Sequence, residues 1–371
     1  MSQDFTQKIC HISSVHKPFD IRIFQKEAKS LVKVGYDVTI IAQHDKDEIW
    51  DGIKIIPLSK SANRFERMTK TVLVAYRKAL EVDARIYHFH DPELIPIGLL
   101  LKYHGKRVIY DVHEDVPRQN LSKPYIPVVL RRPVSLMIGV LEAFSARRFD
   151  SVVTATPFIN KRFIELGAKA INVNNYPYAA ELYTSEDQRV TKEKAVCYVG
   201  GITQFRSAFE MVDAIEKTGC KLLLAGNYEP GLEDKLKQLP GWRHVETLGH
   251  VGRKGVRATM ARSVAGLVLF HPLPNHFEAQ PNKMFEYMSA GIPVIVSKFP
   301  FWMKIINDAQ CGICVNPLDT EEIAGAIKWI IEHPSEAECM GQNGRRAVEE
   351  KYNWGTEETK LLSVYQKLLN D

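Results

Sequence analysis

The chain has 371 residues, 45% of them hydrophobic and 25% charged, an ordinary globular composition whose length predicts two domains. Its 49 lysines and arginines against 44 acids leave a net charge of +5. That balance admits an anionic ligand or an anionic membrane surface and excludes the charge density of a nucleic-acid binder.

In chain order, strands are expected at Ile9–Ser13, Val38–Ala42, Arg85–Phe89, Val108–Val112 and Val152–Ala155. The second half offers Ala195–Val199, Leu222–Ala225, Ala265–Phe270 and Pro293–Ser297. Several are unbroken apolar runs, as in strands covered on both faces. Amphipathic helices lie between them. Asp20 can cap one that aligns Ile21, Phe24, Ala28 and Leu31. Asp319 with Glu322 opens another, carrying Ile323, Ile327, Ile330 and Ile331. The alternation predicts an α/β fold with parallel sheets and right-handed crossovers.

Residues 174–194 break the pattern with Asn174-Asn175-Tyr176-Pro177 and the polar Thr184–Lys194, so the interdomain linker is expected there. The expected domains are 1–180 and 181–352. A final helix over 353–371, striped by Leu361, Val364, Tyr365 and Leu368, is expected to pack back on the first domain. Two Rossmann-like halves of this kind are expected to face a central cleft, with ligands beyond the carboxyl ends of the strands.

The start, Met1-Ser2-Gln3-Asp4, has no basic flank and no apolar run, so no secretory signal is expected. The longest apolar stretches, Leu94–Leu101 and Val134–Ala146, fall short of the roughly 18 residues of a spanning helix. Six cysteines, at 10, 197, 220, 311, 314 and 339, lie mostly in apolar runs. They read as reduced core residues of a cytoplasmic protein. Cys311 and Cys314 have no second pair to complete a zinc site.

The densest signal is the run Phe277-Glu278-Ala279-Gln280-Pro281-Asn282-Lys283-Met284-Phe285-Glu286-Tyr287-Met288-Ser289-Ala290-Gly291. Pro281 disfavours helix at Gln280 and suits a helix start, and Gly291 suits its end. Glu278 is then in a loop, Lys283 in the first helical turn and Glu286 in the second. The helix start offers free N–H groups and a positive dipole end. A cation such as Lys283 is disfavoured there by roughly 0.3–1 kcal/mol unless an anion is bound nearby. Two carboxylates flanking that start can grip vicinal hydroxyls, and the same run also suits a core helix with two surface acids. A second strand–glycine–helix junction, Gly200-Gly201-Ile202-Thr203-Gln204-Phe205-Arg206, again brings a cation to a helix start. Together the junctions point to a diphosphate cradle.

On these residues the second half resembles the donor-binding region of GT-B glycosyltransferases, in particular the retaining family-four group. That family's Glu-x7-Glu pair is matched by Glu278 and Glu286. The resemblance implies that Glu278 contacts the transferred sugar and Glu286 the ribose. The family's phosphate turn aligns with Gly200, Gly201 and Arg206. Arg206 stands where the family has lysine, and Gly201 replaces its arginine. Lys283 and Asn282 are the expected additional donor contacts. Leu224-Ala225-Gly226-Asn227 and Gly249-His250-Val251 resemble the two base-binding turns, which assigns Gly226, Asn227, His250 and Val251 to the base. In the first half, His88-Phe89-His90-Asp91 and Asp111-Val112-His113-Glu114 follow consecutive strands. His113 matches a family histidine near the donor sugar, with His90 as second choice. His90, Asp91, His113 and Glu114, with His16 and Arg22 from the first loop, are the expected acceptor- or sugar-side residues. Arg22 is expected to face the phosphate or the acceptor. The expected catalytic set is His113, Glu278 and Arg206.

The resemblance implies retaining transfer of a hexose-type unit from a UDP- or GDP-linked sugar to an acceptor hydroxyl, with a lipid-linked oligosaccharide in bacterial surface-polysaccharide assembly as the expected acceptor. A GT-B-fold epimerase or hydrolase, or a non-catalytic sugar-nucleotide-binding subunit, would share the cradle. No cofactor and no catalytic metal are expected, since Asp45-Lys46-Asp47 is the sole D-x-D and lies in a polar loop. Lys123–Arg132, with Tyr125, reads as a surface for an anionic membrane. The helix from Val134 onward reads as core.

Overall fold

The computed structural model describes residues 7–121, 123, 126–183 and 192–370. It divides into two compact units, Met1–Asn175 with Gly355–Asp371, and Tyr176–Trp354.

Unit 1 is built on eight strands: β1 Lys8–Ile12, β2 Asp37–Gln43, β3 Glu48–Trp50, β4 Ile53–Leu58, β5 Ile86–Phe89, β6 Arg107–Val112, β7 Ser151–Thr154 and β8 Ala170–Asn172. Their spatial order is β3-β4-β2-β1-β5-β6-β7-β8. All neighbours are parallel except the β3–β4 hairpin at the edge. Unit 2 holds β9 Ala195–Val199, β10 Lys221–Ala225, β11 Val245–Gly249, β12 Ala265–Val268, β13 Val294–Ser297 and β14 Gly312–Val315. Its order is β11-β10-β9-β12-β13-β14, all parallel.

Each sheet reverses its winding once, between β1 and β5 and between β9 and β12. Beyond the carboxyl ends of such a pair, the two following loops diverge and leave a crevice. The apolar runs have their reason in the double cover. Val196 and Tyr198 of β9 enter one core, whereas Ala195 and Cys197 enter the other, because neighbouring strand residues point to opposite faces.

Several expectations need correction. The expected linker is partly structure: Asn174 is buried and its N–H donates to Glu357 Oε2 (2.9 Å), while Tyr176 packs edge-on against Phe285 and Tyr352. Residues 184–191 lie outside the described residues, as does Tyr125. The helix capped by Asp20 starts as a π-helix over Ile21–Ala28 and continues as an α-helix over Lys29–Lys33. Phe24, Ala28 and Leu31 of the expected stripe are buried, but the wider turn also carries Arg22, Ile23, Lys26 and Glu27 inward and leaves Ile21 exposed, so the buried face is broader than a 3.6-residue stripe predicts. The helix Val128–Ala146 is not a core element from Val134 onward, since Leu136, Met137, Val140 and Phe144 are exposed. The six cysteines are free thiols. No helix among the described residues is long and apolar enough to cross a membrane.

Candidate active site

In unit 2 the sequence-marked residues gather at the β9/β12 reversal. Gly200, Gly201 and Arg206 follow β9, and Glu278, Asn282, Lys283 and Glu286 follow β12. The crevice is held open by Tyr287. The β9–β12 pairing stops at Cys197 opposite Gly266, and the next free donor of β9, the Val199 N–H, bonds instead to the Tyr287 hydroxyl (2.9 Å). Gly266 makes room for that ring, since a Cβ there would lie 2.3 Å from it. Gly200 and Gly226 are equally constrained. Gly226 has φ +151°, and a side chain on it would meet the Gly200 carbonyl oxygen at 1.9 Å. The two turns therefore pack backbone on backbone, and the Lys283 ammonium lies against Gly200, 3.1 Å from where a Cβ would stand.

The helix Asn282–Ala290 ends on Gly291 at φ 73°, as its sequence predicts. Asn282 is exposed at its first position. Lys283 points inward, 8% exposed, with its ammonium 3.6 Å from the Tyr198 ring centroid and 5.8 Å from that of Phe270. Its Nζ makes no hydrogen bond. Arg206 converges on the same place, over the Phe270 ring at 5.4 Å, and donates from Nη1 to the Gly201 carbonyl (3.1 Å). No acid pairs with either cation among the described residues. Burial, followed by the Arg206 charge, pushes the Lys283 amine well below its ordinary pKa. Two unpaired cations over aromatic faces cost free energy in the unliganded protein, and a bound anion removes that cost.

Glu278 occupies a turn fixed from below by Trp302, whose Nε1 donates to the Ala279 carbonyl (2.6 Å), and by Gln280, which donates to the Tyr176 hydroxyl (2.8 Å). The Glu278 carboxylate has no partner among the described residues. Glu286 is held by Arg253 (2.6 Å), which also grips Glu181 (2.6 Å). Arg253 opens the helix after β11, 33 residues before Glu286, and no local pattern announces that pairing. Asn227 and His250 are exposed in the turns after β10 and β11, and Val251 is partly buried.

Unit 1 repeats the arrangement at its own reversal, but most of its marked residues are occupied internally. Arg22 neither faces a phosphate nor an acceptor. It is buried, forks onto both oxygens of Asp111 (2.8 Å each), donates to the Val173 carbonyl (2.9 Å) and lies 3.0 Å from Glu27. His90 is likewise closed off, between His11 (3.0 Å) and Asp111 (3.1 Å). Asp91 braces the first loop by accepting from Ser13 Oγ (2.8 Å) and the Ser14 N–H (2.7 Å). Glu114 accepts from Gln119. His113 stays partly open, with Nε2 on Asp111 (2.8 Å) and its ring 5.1 Å from the His16 ring. Burial opposes ionisation of Asp111, yet Arg22 and His113 hold it well below the usual carboxylate range. Asp111 thus fixes the His113 ring, a role that no pattern of residues around it announces. Burial likewise opposes charge on His16, but Asp20 and Asp91 outweigh it and raise its pKa.

Two groups of possible metal ligands exist here, His11, Glu27, His88 and His90, and His90, Asp111 and His113. Among the described residues they are partly engaged: Glu27 Oε1 lies 3.0 Å from Arg22 Nε, whereas the Glu27 oxygens and His88 Nε2 make no hydrogen bond. Arg22 supplies the cation, and the Tyr365 hydroxyl meets His88 Nδ1 (2.6 Å) and His11 Nε2 (3.4 Å). We read them as a polar brace.

Comparison with known proteins accords with this geometry. Residues 22–174 match Glycosyltransferase Family 4, and residues 184–347 match Glycosyl transferases group 1. The glycogen synthase of Mycobacterium tuberculosis is 20% identical, covering 91% of this chain and 88% of that protein. The structure of sucrose-phosphate synthase from Thermosynechococcus elongatus superposes with a TM-score of 0.82 at 19% identity, covering 98% of this chain and 99% of that one. HepE of Anabaena, solved in complex with UDP-glucose, gives a TM-score of 0.74 at 14% identity over 97% and 99%. The family matches take in most of the first sheet and all of the second, and with the structural likeness they make the chain a glycosyltransferase of the GT-B fold and the family-four type.

Proposed function

We propose that the enzyme transfers a hexose-type unit from a UDP- or GDP-linked sugar to an acceptor hydroxyl with retention at the anomeric carbon. The proposed acceptor is a lipid-linked oligosaccharide of bacterial surface-polysaccharide assembly, met at the cytoplasmic membrane face. One observation carries the donor assignment: Arg206 and Lys283 converge beside Gly200 and Gly201 with no acid to pair them among the described residues. A diphosphate meets that need, and the UDP-glucose bound by HepE supports a nucleotide sugar.

In this reading the C1–O bond to the diphosphate breaks and the bond from the acceptor oxygen forms on the same face. The acceptor proton passes to the departing phosphate. Charge gathering on that phosphate is stabilised by Arg206, Lys283 and the N–H groups opening Asn282–Ala290, the largest electrostatic contribution. No metal is required for it. Glu278, without a partner among the described residues, takes sugar hydroxyls. Glu286, oriented by Arg253, takes the ribose. Gly226, Asn227, His250 and Val251 receive the base, and His113 serves the sugar side.

Arg206→Ala should weaken donor binding and turnover by about 10- to 100-fold, the worth of a hydrogen bond to a charged group, and Glu286→Ala should raise the donor Kd. Isothermal titration with UDP- and GDP-sugars, and turnover in EDTA, provide the check. Wild-type binding and turnover in both variants would remove the site assignment, and loss of turnover in EDTA would remove metal independence.

A further inference from the structure

The helix Val128–Ala146 has two faces of opposite character. Its inner side buries Glu142, whose carboxylate accepts from Arg162 (2.9 Å) and Tyr110 (3.3 Å). Its outer side carries Val129, Leu136, Met137, Val140, Leu141 and Phe144, exposed by 81, 71, 65, 62, 40 and 50%. Spacings of three and four residues align them along most of a 19-residue helix, about 28 Å at the usual rise. A stripe of this extent is not ordinary scatter of surface apolar residues.

Charge distinguishes among occupants. Arg132 lies between Val129 and Leu136, and Arg147 and Arg148 follow the stripe's C-terminal end, all exposed. Glu142 is the only acid between residues 121 and 149, and it is turned inward. An apolar stripe accompanied by exposed cations, with no exposed acid on the helix, complements a bilayer whose surface is anionic.

We propose that this face lies in the interface of an anionic membrane, with Leu136, Met137, Val140 and Phe144 among the acyl chains and the three arginines at the headgroups. The helix lies on the bilayer and does not cross it, because its inner face is committed to unit 1. This docking deepens the lipid-linked-acceptor reading and rests on it for its purpose, while the binding itself needs no sugar chemistry.

Flotation of the full chain with vesicles of phosphatidylcholine, alone or mixed with phosphatidylglycerol, provides the test. The wild type should float with the mixed vesicles and remain below with phosphatidylcholine alone. Leu136→Asp with Val140→Asp should leave it in the soluble fraction. Arg132→Gln, Arg147→Gln and Arg148→Gln should each weaken partitioning about fivefold, roughly a hundredfold together. Thermal melts and UDP binding, measured alongside, should match wild type in all variants. Absence of wild type from the mixed vesicles, or flotation of the aspartate variant like wild type, overturns the proposal. Light scattering that shows a wild-type dimer and a monomeric aspartate variant, without flotation, assigns the face to a second copy and also overturns it. Intact flotation with no UDP binding would instead remove the transfer reading alone.

Discussion

Lys283 concentrates the chemistry of the donor site in one titration. Burial and Arg206 depress its pKa in the free enzyme, whereas a diphosphate beside it favours the charged form. Donor binding should therefore take up protons at any pH between the free and bound values. Affinity should be steady below the free-state pKa and fall above it, by at most tenfold per pH unit. Calorimetry of UDP binding in buffers of different ionisation enthalpy measures the uptake directly. Lys283→Met should abolish the uptake along with part of the affinity, and an unchanged proton count in that variant would reassign it. The position of Lys283 could be anticipated, because a lysine in a helix's first turn breaks a local rule. The fate of Arg22 could not. It breaks the same rule, but its partners Asp111, Val173 and Glu27 are reached through the sheet and through a π-turn, and no short window of sequence contains them.

Among elements, Tyr287 is the wedge that parts β9 from β12, and its cost can be measured. Tyr287→Phe strands the Val199 N–H, for about 1–3 kcal/mol. Gly266→Ala drives a methyl into the ring, and overpacking of this kind also costs about 1–3 kcal/mol. At 2–4 °C per kcal/mol for a unit of this size, both should lower the melting temperature visibly, and both should weaken UDP binding by displacing the end of β9 that leads into Gly200 and Gly201. A Gly266→Ala variant with unaltered melting and UDP affinity would show that the wedge does not hold the site open. The elements themselves were unevenly legible. Central strands covered on both faces, such as Ala195–Val199, stand out as apolar runs. Edge strands do not: β11 reads Val-Glu-Thr-Leu-Gly and β8 Ala-Ile-Asn, half wet and too mixed to separate from loop. The Val128–Ala146 helix departs from expectation for the opposite reason, because apolar composition alone does not tell a core helix from one that keeps its apolar side outside.

At the scale of the whole chain, the brace in unit 1 makes stability depend on pH. His11, His88 and His90 are held neutral by burial, with pKa values below ordinary. The unfolded chain binds more protons as the pH falls below about 6.5, so their contribution is complete above that point and is lost on acidification. Asp111, depressed by Arg22 against its burial, acts in the same direction. Glu27 opposes them: burial and Asp111 raise its pKa, so its contribution is lost as the pH rises. Melting temperature should fall between pH 7 and pH 5, and more steeply in Glu27→Gln. A flat profile in both proteins would remove the brace. Its keystone, Tyr365, comes from Gly355–Asp371, the part of unit 1 that follows the whole of unit 2 in sequence. A ribosome therefore releases every residue of unit 2 before the hydroxyl that closes the histidine cluster has been made. The unit whose synthesis begins first is the last that can finish, and until then two buried imidazoles, His88 and His11, await their final partner.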